Sequence, residues 1–341
     1  MSSTAKKLEY TPEVAAVTAA IRERVKDVIP DVEWAIHAPL IARINELKQE
    51  RNATLVVHNY QTPEIFHGVA DYTGDSLGMA RYGADTEADV ILVCGVRFMA
   101  ETAKILSPEK TVLLPDMDAG CSLAASITGA DIRRLREQYP GVPVVAYVNS
   151  YADVRAEVDI CCTSANAVEV VESLNTDRVI FVPDGYLGQY VASQTDVEII
   201  NWEGACEVHE RFTGDELRGY RKDFPGIEVI AHPECPPDVL AEADFVGSTS
   251  GMIRYVGERR PEKVVMITEC SMSDNVAVEY PDVNFIRPCN LCPHMKRISL
   301  PKILRSLETL SPQVDLDPEL GLRAKQSLDR MLEIGRSAES R

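Results

Sequence analysis

The chain has 341 residues, 45% hydrophobic and 26% charged, with 35 Lys and Arg against 53 Asp and Glu. That make-up belongs to a folded globular chain, and a net charge of −18 argues against nucleic acid as a partner, because phosphate binding needs a basic face. No apolar run approaches the roughly 18 residues of a membrane span, and the opening MSSTAKKLEYTPE lacks the apolar stretch of a signal peptide; the expected setting is cytoplasmic, away from membranes.

Apolar spacing predicts an N-terminal helix over EVAAVTAAIRERVKDVI (13–29). The β-branched run TLVVHNY (54–60) follows. ADYTGDSLGMAR (70–81) then reads as a short Asp-led strand, a small polar turn and a helical pattern. ADVILVCG (88–95) and KTVLLPDMDAGC (110–121) are further apolar runs, the second ending in a cysteine. After the helical stretch GADIRRLREQYP (129–140) the series returns as VPVVAYVNS (142–150), VDICCTSANAVEV (158–170), DRVIFVPDG (177–185) and VEIINWEGAC (197–206), with AVEVVESL (167–174) helical. It returns again as IEVIAHPE (227–234), ADFVGSTSGMIRY (243–255), EKVVMITEC (262–270) and VNFIRPCNLC (283–292). PELGLRAKQSLDRMLEIG (318–335) closes with helical spacing.

Three landmarks keep one period. Asp71, Asp159 and Asp244 differ by 88 and 85, as do Ser76, Ser164 and Thr249; Cys121, Cys206 and Cys292 differ by 85 and 86. Each unit reads strand–helix–strand–helix–strand. Apolar runs without polar alternation indicate strands buried on both faces, as in parallel sheets. The expected fold is α/β: three similar units with small parallel sheets and right-handed crossovers around a pseudo-threefold axis, with flanking N- and C-terminal helices. The expected divisions are an N-terminal helical extension (1–34), units at 35–118, 119–204 and 205–314, and a C-terminal helix (315–338) packing on the body.

In parallel α/β units, functional groups gather where strands end and helices begin. Each repeat delivers polar groups at the end of its first strand: His58 and Tyr60, Tyr147 and Asn149, His232 and Glu234. Each delivers a hydroxyl at a helix mouth, from Ser76, Ser164 or Thr249, where backbone N–H groups favour anions. Alone, each hydroxyl is explained by ordinary helix capping. His37, His67 and His294 have no repeat partner to support a role.

Nine cysteines without an export signal argue against a disulfide framework. Cys94 and Cys270 occupy strand-like runs, and the adjacent Cys161 and Cys162 suit tight packing. Cys121, Cys206 and Cys292 each follow the last strand of a unit and can converge. Three thiols fit zinc, with His209 as the obvious fourth ligand, or three corners of a 4Fe-4S cluster whose fourth iron stays free to act as a Lewis acid. Buried thiols at equivalent fold positions are the plainer alternative.

The strings HNYQTPE, GDSLGMAR, GVRFMAETAKIL, GCSLA, YVNSYADV, CTSANAVEVV, HPEC and VGSTSGM resemble the quinolinate synthase family, over residues from about 35 to 310. The resemblance implies three α/β units around a pseudo-threefold axis and a 4Fe-4S cluster held by Cys121, Cys206 and Cys292. It implies condensation of iminoaspartate with dihydroxyacetone phosphate to quinolinate, with loss of phosphate and two waters, in de novo NAD synthesis. An aspartate-oxidising enzyme channelling iminoaspartate is the implied partner. By motif, His58, Tyr60, Ser76, Tyr147, Asn149, Ser164, His232, Glu234 and Thr249 would face the substrates, and Phe98 would form an apolar wall. Glu234 with His232 suits proton shuttling, and Tyr147 is a second acid. Either Cys289 or Cys292 can serve as the third ligand. The motif favours Cys292, whose offset of 86 from Cys206 fits the repeat better than the 83 of Cys289. A redox-sensitive Cys289–Cys292 pair regulating cluster loading is a further implication. The competing readings are a non-catalytic iron–sulfur carrier or sensor and a zinc-stabilised sugar-phosphate binder.

Overall fold

A computed structural model describes residues 8–339. Thr11 caps α1 (Pro12–Val25) by accepting from the Val14 N–H, and Pro12 occupies the first turn, where a missing N–H costs nothing. The helix stops short of Ile29, because residues 26–29 turn to deliver Pro30 to the start of α2 (Asp31–Glu50). Residues 1–7 of the expected N-terminal extension lie outside the described residues; from Pro12 on it is packed, with α1 along α2, which buries Trp34, Ile41, Ile44 and Leu47 in the core of the first sheet.

Three four-stranded sheets follow. The first holds β1 (Ala53–His58), β2 (Tyr72–Gly74), β3 (Val90–Cys94) and β4 (Thr111–Leu113); the second β5 (Val144–Tyr147), β6 (Ile160–Cys162), β7 (Arg178–Val182) and β8 (Glu198–Asn201). The third holds β9 (Glu228–Ala231), β10 (Phe245–Val246), β11 (Lys263–Ile267) and β12 (Asn284–Ile286). Every pairing is parallel, and each unit has its strands in the order second, first, third, fourth. Between and after the first four strands run α3 (Pro63–Phe66), α4 (Ser76–Asp85), α5 (Arg97–Leu106) and α6 (Gly129–Gln138). The second unit has α7 (Ala152–Arg155), α8 (Ala167–Ser173), α9 (Gly185–Ala192) and α10 (Gly214–Asp223) in the same places. The third has α11 (Pro237–Leu240), α12 (Thr249–Arg259), α13 (Ser271–Glu279) and α14 (Leu300–Thr309), and α15 (Pro318–Glu339) ends the chain.

Each unit thus has four strands, one for each of its four recurring runs and one more than the five-element pattern, and a single helical turn ahead of the short Asp-led strand that no helical pattern marks. The repeating aspartate explains how so short a strand holds its place. Asp71, Asp159 and Asp244 each accept the N–H of the neighbouring central strand (Leu55, Val144, Val229) at 2.8 Å, and each returns its own N–H to that residue's carbonyl. Each carboxylate also meets a cation from the helix preceding its unit: Lys48 of α2, Arg136 of α6 and Arg221 of α10, at 2.7 to 3.0 Å. The recurrence of Asp is a register lock for a two- or three-residue strand.

The first two units share one continuous core, and α15 seals it by burying Ala324, Leu328 and Met331 where it packs on β6 and α7. The third unit packs separate clusters on the two faces of its sheet. Cys94 lies in β3 and Cys161 and Cys162 in β6, all buried, whereas Cys270 falls beyond β11 and flanks the start of α13. Among the described residues no helix is long and apolar enough to cross a membrane.

Candidate active site

The strand order reverses beside each central strand, which places a crevice at the carboxyl ends of β1, β5 and β9. These ends face one cavity. The first unit contributes His58, Tyr60, Ser76, Phe98 and Cys121, the second Tyr147, Asn149, Ser164 and Cys206, and the third His232, Glu234, Thr249 and Cys292. The structure therefore brings together all thirteen side chains that the sequence singled out.

Glu234 is the hub. Its Oε1 accepts from Tyr147 Oη at 2.5 Å and from Asn149 Nδ2 at 3.4 Å, and its Oε2 lies 2.9 Å from His209 Nδ1. Burial alone would raise its pKa, yet the adjacent His209 and His232 and the hydrogen bonds of His209 and Tyr147 hold it well below the usual carboxylate range. A second buried carboxyl, Asp184, goes the other way: burial, then the Glu234 charge, push it well above the usual range. The two buried carboxyls are thus pushed in opposite directions.

His58 and His232 are neutral donors. His58 Nδ1 accepts the Tyr60 N–H at 3.2 Å, and His232 Nδ1 accepts the Glu234 N–H at 3.4 Å. With Nδ1 an acceptor, the single proton of the neutral ring sits on Nε2. Burial pushes both rings down to about 3, so neither is charged at neutral pH. Tyr60 and Tyr147 are pushed well above their ordinary range, first by burial and then by Glu234, so both phenols keep their protons. Tyr60 Oη meets Thr268 Oγ1 at 2.5 Å, and His209 Nε2 meets the same hydroxyl at 2.9 Å.

The helix-mouth hydroxyls are not the caps. Asp75 caps α4 by accepting from the Gly78 N–H, and Ser248 caps α12 by accepting from the Gly251 N–H. Ser76 and Thr249 are the first helical residues, and their hydroxyls belong to the cavity; Thr249 Oγ1 also accepts from Asn59 Nδ2 at 2.9 Å. Ser164 sits in the turn ahead of α8, two residues before its flanking Asn166.

The three thiols share one backbone device. Each cysteine precedes a 3₁₀ turn (Ala124–Ser126, His209–Arg211, Met295–Arg297). Backbone N–H groups two and three residues on are directed at each sulfur: Leu123 and Ala124 at Cys121, Val208 and His209 at Cys206, His294 and Met295 at Cys292. Cys121 lies in electrostatic range of both other thiols. Burial nevertheless raises all three, Cys121 to about 12, so a metal must displace their protons. Cys289, by contrast, is exposed and turned away from the cavity, so the structure places Cys292, not Cys289, on the wall.

The family model described as quinolinate synthetase A protein matches residues 42–333. The chain belongs to that family. It is 58% identical over 327 residues to the quinolinate synthase of Sinorhizobium fredii (strain NBRC 101917 / NGR234), covering 96% of this chain and 91% of that protein. It is 58% identical over 328 residues to the quinolinate synthase of Agrobacterium fabrum, covering 96% and 95%, and 54% identical over 329 residues to that of Caulobacter vibrioides (strain NA1000 / CB15N), covering 95% and 90%.

For a member of the quinolinate synthetase A family the donor set can be tested against an iron–sulfur cluster. Three soft thiols, one from each unit and each receiving two backbone N–H groups, suit cluster ligation, in which such hydrogen bonds to sulfur are a standard tuning device. The residues fit. The ligand atoms of Cys206, His209 and Glu234 also lie within 4.8 Å of one another, but His209 Nδ1 and Glu234 Oε2 are already engaged with each other there at 2.9 Å.

Sequence reasoning weighs His209 only as a zinc ligand, sets His294 aside for want of a repeat partner, and does not reach Thr268, Asp184 or Glu207. His294 lines the cavity and its Nε2 lies 3.1 Å from Glu207 Oε1, closing the gap between the second and third units. Both sit next to repeat cysteines, a signal that was legible: position in the repeat, not residue type, marked them.

Proposed function

We propose that this chain is a quinolinate synthase that condenses iminoaspartate with dihydroxyacetone phosphate, releasing phosphate and two waters, in de novo NAD synthesis. The observation that carries the reading is the opposition, in one cavity, of three equivalent thiols and a buried ionised Glu234 flanked by neutral donors. Cys121, Cys206 and Cys292 would hold a 4Fe-4S cluster, which supplies Lewis-acid polarisation of a substrate oxygen.

The remaining work falls to side chains. The hydroxyls of Ser76, Ser164 and Thr249, with the N–H groups opening α4 and α12, receive carboxylate and phosphate oxygens without a net basic surface. Phe98, buried beside them, gives the apolar wall. Glu234 is the only one of these groups held as an anion, so it accepts the proton lost at carbon during enolisation. Tyr147, already bonded to that carboxylate, supplies or recovers a proton as water leaves. The Nε2–H groups of His58 and His232 donate to developing negative charge without carrying charge themselves. An aspartate-oxidising enzyme is the natural source of so hydrolysable an imine, and handover from it is part of the proposal.

Anaerobic purification with iron and sulfide counted per chain, followed by an assay for quinolinate from the two substrates, tests the reading. Cys121→Ala, Cys206→Ala and Cys292→Ala should each abolish both cluster and product. The second reading, zinc on Cys206, His209 and Glu234, is favoured by their proximity; stoichiometric zinc without sulfide would establish it.

A further inference from the structure

Cys289 and Cys292 are three residues apart and face different ways. Cys292 lines the cavity, whereas Cys289 is exposed and its Sγ lies 3.2 Å from Cys270 Sγ. The contact is built on both sides. The Cys270 N–H bonds to the Asn290 carbonyl at 3.3 Å, tying the loop that carries Cys289 to the start of α13. Glu269, buried beside Cys270, receives the Cys292 N–H on Oε1 at 3.4 Å and the Ser271 N–H on Oε2 at 2.9 Å. One short segment therefore holds the two cysteines of the C-x-x-C apart, and gives the outer one a different partner.

We propose that Cys270 and Cys289 are a dithiol that closes to a disulfide under a small-molecule disulfide, and that this closure keeps Cys289 from capturing Cys292. The second half rests on the reading of Cys292 as a cluster-holding residue. Cys289, the exposed thiol, is reached first. Its thiolate attacks one sulfur of the reagent, a bond to the second sulfur breaks, and one small thiolate leaves. Cys270 then gives up its proton and attacks the Cys289 sulfur, expelling the second small thiol. Two protein thiols lose two electrons and one disulfide is reduced to two thiols. Bringing the sulfurs from 3.2 Å to bonding distance, about 2.05 Å, takes a shift of about 1 Å.

The test uses cluster-loaded protein treated anaerobically with oxidised glutathione, alkylated, digested without reduction and mapped by mass spectrometry. The expected product joins Cys270 to Cys289, removes two alkylatable thiols and leaves iron and sulfide content unchanged. In Cys270→Ser the same treatment should join Cys289 to Cys292 with at least a twofold loss of cluster; glutathione resting on Cys289 with the cluster intact would overturn the protective half. In Cys289→Ser no disulfide should form and the cluster should survive. A Cys289–Cys292 link in the unsubstituted chain, or glutathione persisting on Cys289 with Cys270 alkylated, overturns the proposal. The map reads sulfur connectivity, so a correct map in a protein that makes no quinolinate would remove the functional reading and leave the dithiol standing.

Discussion

His58 and His232 end the central strands of the first and third units in one posture: buried, neutral, Nδ1 accepting the N–H of the residue two further on. What differs is that second residue. In the first unit it is Tyr60, whose phenol passes to Thr268 and stays neutral. In the third it is Glu234, which gathers Tyr147, Asn149 and His209 around a charge. Repetition of the fold supplied the same strand end twice. One side chain then decided which wall gathers its neighbours around a charge and which stays neutral.

The sharpest way to break this comparison is Glu234→Gln. It keeps the shape and removes the charge, so kcat/KM should fall by about 10²–10⁴ with iron and sulfide content intact; retained turnover would take Glu234 out of proton transfer. Acid sensitivity comes next and should treat the two histidines alike. Their folded pKa of about 3 lies below the ordinary 6.5, so the unfolded chain binds more protons between those values. The stability they confer is complete above about pH 6.5 and drains as pH falls towards 3, by about 1.4 kcal/mol per pH unit for each ring. Urea unfolding from pH 7 to 5 should show the slope, and His232→Asn should shallow it; an unchanged slope places acid sensitivity elsewhere.

Tyr147→Phe removes a bond to a charged group, worth about 1.5–3 kcal/mol, and should lower kcat roughly ten- to a hundredfold. Tyr60→Phe removes one between neutral groups, about 0.5–1.5 kcal/mol, and should cost less than tenfold, mostly in KM. Equal losses from the two phenols would erase the difference between the walls.

Much was readable without coordinates. Asp71, Asp159 and Asp244 announced three units because a strand of two or three residues needs a lock, and the lock must recur wherever the strand does. The converging cysteines, hydroxyls and strand-end groups followed from the rule that parallel α/β units expose chemistry at the carboxyl ends of strands. Local hydrogen bonding and hydrophobic periodicity act within a few residues or along one element, so one dimension records them. The sequence could not say that His209 turns to Glu234 and Thr268, that burial pushes Asp184 up while its neighbours hold Glu234 down, or that Cys289 faces Cys270 and not its neighbour in the motif. Those outcomes depend on which groups from distant segments share a dry volume, and on which of them desolvation allows to hold charge; only the packed chain sets both.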